Sequence, residues 1–381
     1  MTRRSRRSDE RGIALVLALF VLVVIATLVA AVFFIAQLEA RTGANTLSSL
    51  QATQAADAGL EYASVNWSRA WALQGVGNTS GIDWIELGST SGYFSDSITQ
   101  LNDQLLMVRS FGEARNGAGG VVASRVNGML FKVIQPDFGL AAAATVDGAV
   151  NVTNKDTVSG IDIVPSGGAW GVNCASLTRN DQPAVRSSST VSRGGPKSYI
   201  TPDSSANDTS VATSVAKVNG MFSTLAGMAD LSLSPAAVPG SIAPVLAGHT
   251  CDKTQSANWG DPTYAPSGID GTSHPCAGYF PVIYVSGSMT LPTGSGQGVL
   301  LVNGNVTFSP GFKFYGVILA TGTAKATGSS NGNIFGALLA EAGTSNLTGN
   351  ERLDYSSCAV TLAAEAALIG RPLAVRPYVR F

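Results

Sequence analysis

The sequence predicts an α+β protein: a long N-terminal transmembrane helix, a small antiparallel sheet, then a β-solenoid body carrying a partly helical insertion. Three observations lead there. Ile13 to Ala36 is an uncharged apolar run of 24 residues. At about 1.5 Å per residue, a helix of that length crosses a hydrocarbon layer of about 30 Å. A glycine-rich stretch, Asn116 to Gly120, separates two apolar segments in the manner of a hairpin. An apolar strand, a glycine turn and a second strand recur late in the chain at intervals of 18 and 20 residues, a period suited to stacked rungs.

The apolar run is preceded by Arg3, Arg4, Arg6, Arg7 and Arg11 and by Gly12. Arginines are retained on the cytoplasmic side, so everything after Ala36 is expected outside the cytoplasm. A cleavable secretory signal has a shorter apolar core and a break after it. Here the chain runs on through Gln37, Leu38 and Glu39 with no proline before Pro136. The helix is therefore expected to persist to about Leu73, where Gly75, Gly77 and Gly81 end it. Leu60, Ala63, Trp67, Ala70 and Trp71 share one helical face and should pack on the exported body.

The stretch from Arg11 through Gly12, Ile13, Ala14, Leu15, Val16, Leu17 and Ala18 to Leu19 resembles the N-terminal region of PilX-type minor pilins of type IV pili. The segment Gln51 to Glu61, which contains Ala58-Gly59-Leu60-Glu61, resembles it too. The resemblance covers about the first 65 residues. It implies a leader, residues 1–12, cut by prepilin peptidase between Gly12 and Ile13, and a mature N-terminus of the kind often methylated. It also implies a single-pass precursor in the bacterial inner membrane, then an extracellular pilus. Other pilin and minor pilin subunits are the implied partners, with a pilus-tip adhesin as a further one.

Major pilins carry a glutamate at the fifth mature position, where this chain has Leu17. A carboxylate in lipid is costly without a partner, and in pilins it is thought to neutralise a neighbour's N-terminal amine. A subunit without it suits the first or tip position of a filament. Small residues Ala14, Ala18, Ala26, Ala30 and Ala31 would let helices approach closely around Leu17.

With 381 residues, 45% hydrophobic and 13% charged, the chain can bury a sizeable core and is not disordered. Removing residues 1–12 takes away five arginines, Asp9 and Glu10, so the net charge moves from −1 to −4. Bulk charge gives no support for nucleic-acid binding.

The cysteines are Cys174, Cys251, Cys276 and Cys358. An even number in an oxidising compartment reads most simply as two disulfides. Of the three pairings, Cys251 with Cys276 and Cys174 with Cys358 is preferred. The competing zinc reading uses His249-x-Cys251 and His274-x-Cys276, but that spacing matches no known finger, and no metal or cofactor is expected.

The domain plan is a leader at 1–12, a transmembrane and extended helix at 13–75, and a pilin-like hairpin module at 76–136. A β-solenoid at 137–349 follows with an insertion at 175–280, then a closing segment at 350–381. The hairpin module reads as two strands within 104–135. The rungs are Gly298 to Phe308, Gly316 to Ala326 and Gly336 to Gly343. Val282 to Leu291 and Ala142 to Val152 have the same shape. Within the insertion, residues 186–214 read as an exposed loop, and Val211, Val215, Val218, Phe222, Leu225 and Met228 predict a helix from about Thr209 to Asp230. The insertion is the expected partner-binding surface. Gly298 to Asn305 and Tyr355 to Ala359 are similar to segments of PilX-like proteins.

Catalytic signals are sparse. His249 and His274, the two histidines of the chain, lie beside cysteines, and nothing orients them for a triad. Ser214-x-x-Lys217 falls within the expected helix. Asp147 and Glu341 are the acids available to the rungs for polysaccharide chemistry. A cation at Asp270-Gly271 would need several oxygens brought together by folding. The expected function is a non-enzymatic minor pilin-like subunit acting at pilus initiation or tip. An uncleaved membrane-anchored adhesin is the alternative, and a polysaccharide-active enzyme the third reading.

Overall fold

The computed structural model describes residues 10–72, 74–88, 92–166, 170, 174, 180–195, 197–202, 204–263, 275–327, 332–373 and 379–380. Among the described residues the chain is a mixed helix and sheet protein with a long N-terminal apolar helix, an antiparallel sheet, two parallel sheets and a small antiparallel hairpin. It divides into two compact units, residues 1–132 with 371–381, and residues 133–370.

The first unit is built on helix α1 (Glu10–Val65) and a meander of β1 (Thr79–Glu86), β2 (Gly92–Asn102), β3 (Leu105–Arg115) and β4 (Val121–Ile134). Consecutive strands pair antiparallel. On β2 and β3 buried residues alternate with half-buried ones, the period of a sheet covered on one face. The covering element is α1, which buries Ala52, Ala55, Ala56, Leu60 and Ala63. Alanine at these positions permits close approach. The expected hairpin is therefore the second half of a longer meander, since β1 and β2 are too polar on their outer side to stand out in the sequence.

Helix α1 ends at Val65, short of the expected Leu73, and a four-residue turn, α2 (Arg69–Ala72), follows. The Asn66 side-chain amide donates to the Tyr62 carbonyl at 2.9 Å. Trp67 stacks on Phe131 of β4 with ring centroids 6.0 Å apart. Turning the chain there seats the indole on the sheet, which a straight helix would not do.

The second unit begins with β5 (Ala144–Val146), β6 (Val150–Asn154) and β7 (Thr157–Ser159). β8 (Val185–Ser187), β9 (Val191–Gly194) and β10 (Tyr199–Thr201) follow, then helix α3 (Ser210–Gly227). Next come β11 (Leu231–Leu233), β12 (Ser241–Ile242) and a small hairpin of β13 (Leu246–Ala247) and β14 (Thr250–Cys251). The late strands are β15 (Val282–Val285), β16 (Met289–Thr290), β17 (Thr293–Val302), β18 (Val306–Phe308) and β19 (Phe312–Ala320). They continue with β20 (Ala324–Thr327), β21 (Asn333–Ala340), β22 (Ser345–Gly349) and β23 (Arg352–Tyr355) before helix α4 (Ser357–Ala366).

These strands stack in parallel. The larger sheet runs β10-β7-β23-β21-β19-β17-β15-β11, with β5 and β8 continuing beside β21 and β12 beside β17. The smaller runs β16-β18-β20-β22-β6-β9. Gly298 pairs with Gly316 and Gly316 with Gly336, the alignment of the repeat found in the sequence. One core holds Val285, Leu300, Val302, Ile318 and Leu338 of the larger sheet with Val306, Phe308, Ala324, Ala326 and Leu347 of the smaller. On the larger sheet's other face, Val299, Leu301, Val317, Leu319 and Leu339 pack with Val218 and Leu225 of α3 and Ala363 and Ala364 of α4. Burial on both faces is why these strands read as unbroken apolar runs.

Two expectations need correction. Residues 186–214 are not a loop: β8 pairs with β5, β9 with β6 and β10 with β7, all parallel, so the expected insertion supplies strands to the stack. Their short lengths and the serine-rich, polar sequence around them hid them. The segment 350–381 does more than close the stack. β23 is one more parallel strand beside β21, whereas β24 (Ile369–Pro372) and β25 (Val379–Arg380) join the antiparallel sheet at β4.

Candidate functional site

The surface most clearly organised for a partner is α1. Its apolar part is long and hydrophobic enough to cross a membrane, with mean hydropathy 3.2 over its most apolar window, and none of that window is buried within the chain. Gly12 and Ile13 lie within the helix, as do Ala14, Ala18, Ala26, Ala30 and Ala31. Leu17 is 61% exposed, and Phe20, Val32 and Phe33 are similarly open. Exposed apolar side chains all round a helix need lipid or other helices for cover. From Ala52 onward the same helix changes role and packs on its own sheet.

That packing is close. A Cβ on Gly112 of β3 would come within 2.9 Å of the Ala56 Cα, and one on Gly59 would meet an Asp96 carboxylate oxygen at 2.6 Å. Polar ties fix the register: Asn127 Nδ2 donates to Asp57 Oδ1 at 2.6 Å, and an Arg125 guanidinium nitrogen donates to the Ser49 hydroxyl at 2.6 Å. Asp96 is 2% exposed beneath the helix. Burial pushes its carboxyl up, and the neighbouring Ser110 hydroxyl opposes this without closing a hydrogen bond of good geometry among the described residues.

In the second unit the turns between the two sheets bring side chains from successive strands side by side. Thr321 Oγ1 donates to Asn303 Oδ1 at 3.3 Å, and Ser188 Oγ donates to Asp147 Oδ1 at 2.7 Å. Glu341 lies between these pairs, its backbone N–H bonded to Ala320 and the Asp147 N–H bonded to Ala340. With its amide nitrogen turned inward, Asn219 of α3 donates to both Glu341 carboxylate oxygens at 2.9 Å. Burial pushes the Glu341 carboxyl up; the Asn219 amide lowers it and the Asp147 charge raises it further. The two acids singled out in the sequence are thus neighbours, a closeness that only strand register creates.

The cysteines are joined as Cys174–Cys358 and Cys251–Cys276, with Cα atoms 5.5 and 4.9 Å apart. Cys174 sits with Trp170, whose ring stacks on Tyr315 at 5.4 Å and whose Nε1 donates to the Pro262 carbonyl at 2.8 Å. With both pairs oxidised, thiolates for a zinc site are gone. Among the described residues no group of three histidine, cysteine or acidic side chains could hold a metal. His249 is exposed in a turn; His274 and Asp270-Gly271 lie outside the described residues. The Ser214 hydroxyl donates to the Gly139 carbonyl and Lys217 pairs with Asp137 at 2.7 Å, so both anchor α3 rather than each other.

Sequence reasoning missed a third arrangement, on the outer face of the antiparallel sheet. Trp84, Tyr93 and Arg115 form a stack there, with the guanidinium 5.1 Å from the Trp84 ring centre and 4.3 Å from that of Tyr93. No linear signal joins residues from three strands. The alternation placing Tyr93 and Glu113 opposite buried Phe94 and Ala114 is the trace it leaves in the sequence.

No protein-family model matches the chain, and no curated protein sequence matches it. Among solved structures it is similar to the crystal structure of an ice binding protein from an Antarctic Biological Consortium. That likeness has 14% identity and TM-score 0.34, over 58% of this chain and 90% of that one. It is also similar to the crystal structure of the competence-associated pilin ComZ from Thermus thermophilus. There the identity is 14% and the TM-score 0.25, over 88% of this chain and 97% of that one. Neither likeness is close enough to carry fold or function across.

Proposed function

We propose that this chain is a non-enzymatic minor pilin-like subunit of the PilX type, taking part in type IV pilus assembly at initiation or at the tip. The observation that carries the reading is the division of labour along α1: an exposed apolar part that includes Leu17, and a later part from Ala52 seated on an antiparallel sheet. One helix so divided joins a polymer through its free part while holding its own exported domain. Cleavage by prepilin peptidase between Gly12 and Ile13, methylation of Ile13 and passage from the inner membrane to the pilus follow from the leader resemblance. We read the stacked parallel strands as a β-solenoid body presented to a partner, either another pilus subunit or a tip adhesin.

Leu17 in place of a carboxylate supports a position that needs no preceding subunit. Mass spectrometry of the mature N-terminus, combined with a pilus count in a deletion strain, tests the proposal. A chain starting at Ile13 and a loss of surface fibres are the expected results. An intact leader with normal fibres would instead mean the membrane-anchored adhesin.

A further inference from the structure

The strand β1 is the edge of the antiparallel sheet, and its pairing with β2 shifts register between Ile82 and Ile85. Such an irregularity on an edge strand re-aims side chains, and the two residues within it are Asp83 and Trp84, the latter 45% exposed. A single exposed tryptophan needs no explanation. This one is part of a clamped stack. The Arg115 guanidinium lies over both the Trp84 and the Tyr93 ring, and Glu113 holds it with contacts of 2.7 and 2.9 Å. Glu86 is the register partner of Tyr93, and its carboxylate pushes the Tyr93 phenol up. Glu113 is the register partner of Tyr93 on the other side, so one row across three strands sets Glu86, Tyr93 and Glu113 side by side.

A surface arginine held in one geometry gives up rotamer freedom, and this ordering comes before any ligand arrives. The result is an indole that is 45% exposed and backed by a fixed cation. Asp83 and Glu86 lie on the same strand as Trp84, and Glu113 is the register partner of Tyr93, so acidic residues outnumber the Arg115 guanidinium in this part of the sheet. That balance repels the phosphates of a nucleic acid, for which an aromatic platform needs a basic surround. It suits a ligand with a flat apolar C–H face and hydroxyls that donate to carboxylates at the rim.

We infer that Trp84, backed by Arg115 and Tyr93, is a binding platform for the pyranose ring of a neutral glycan. The site lies on the first unit, independent of the stacked body and of the pilin reading.

Calorimetric titration of the full chain in detergent micelles with cellohexaose and with the N-acetylglucosamine hexamer tests it, read beside the indole N–H resonance of Trp84. Saturable binding of at least one hexamer with a shift of that resonance is expected. Trp84→Ala should weaken it about tenfold or more, and Trp84→Phe should retain most of it. Near-ultraviolet circular dichroism of both variants checks that the sheet is intact. Because Phe keeps a stacking face, a loss in the Ala variant restored by Phe separates binding from folding. The inference is overturned by no saturation with either hexamer up to about 10 mM, by binding that Trp84→Ala leaves unchanged, or by saturable capture of a thymidine oligonucleotide through Trp84.

Discussion

Gly336 and Gly316 are register partners on adjacent parallel strands, and a Cβ on Gly336 would fall onto the Gly316 carbonyl oxygen with the carbonyl carbon 2.8 Å away. Both have φ of +142°, a conformation open to glycine and strained for other residues. The repeat therefore keeps glycine at this place for two reasons at once: backbone conformation and the closeness of the next strand. Gly336→Val should destabilise the second unit by about 3 kcal/mol or more, since it adds both strain and a clash. Urea denaturation of the micelle-bound chain, followed by tryptophan fluorescence, would register the loss as a lower midpoint.

Leu301 is fully buried where β17 meets the helices. Leu301→Ala leaves a cavity in a double-sided core and should cost about 2 to 5 kcal/mol. An outer substitution on the smaller sheet, Thr290→Ser, should change stability by about 0.5 kcal/mol or less. The same denaturation measurement compares them, and equal effects would mean that β17 is not packed on both faces.

Asp208 is held at about 2, first by the Arg186 guanidinium at 2.8 Å and then by the Ser210 hydroxyl. Its folded value lies below its unfolded one, so its contribution is complete above about 4 and is lost as pH falls toward 2. Asp208→Asn should remove that part of the acid dependence and loosen the start of α3. Thermal midpoints of wild type and variant, taken from pH 5 to pH 2, should converge at the acid end.

Asp96 behaves in the opposite sense. Burial raises its carboxyl, so folding is favoured while it is protonated, and this stabilisation is lost as pH rises from the unfolded value through the folded one. Asp96→Asn keeps the shape and removes the charge. The variant should be at least as stable as wild type at pH 7 and should lose that advantage at pH 3, as followed by circular dichroism. A variant less stable at pH 7 would show that the ionised carboxylate is satisfied in the native state.

The disulfide Cys174–Cys358 closes a sequence separation of 184 residues and Cys251–Cys276 one of 25. Restriction of the unfolded chain assigns them about 5 and about 3.5 kcal/mol, taken singly. Cys358→Ser should accordingly lower the thermal midpoint more than Cys276→Ser, as differential scanning calorimetry would record.

Much of the architecture is legible from local pattern. The apolar span, the two strands flanking Asn116 to Gly120 and the repeat through Gly298, Gly316 and Gly336 each state their own period. So does helix α3, where Val211, Val218 and Leu225 all face inward. Strands of three residues such as β8 and β10 carry too few positions to show a period, and the polar residues Arg186, Ser187 and Thr201 in them read as a loop. The end of α1 was misplaced because Trp67 prefers the face of Phe131 to a continued helix, a choice made between residues 64 positions apart.

By itself, then, the chain determines which segments are apolar, where glycine must interrupt them, and that the first helix has far more hydrocarbon surface than its own fold can cover. These are properties of neighbours along the backbone. Folding alone decides that Glu341 lies beside Asp147, that Arg115 lies over both Trp84 and Tyr93, and that the last strands return to β4. Each of those depends on strand register across long stretches of sequence, and register is set by the simultaneous burial of many side chains rather than by any one of them.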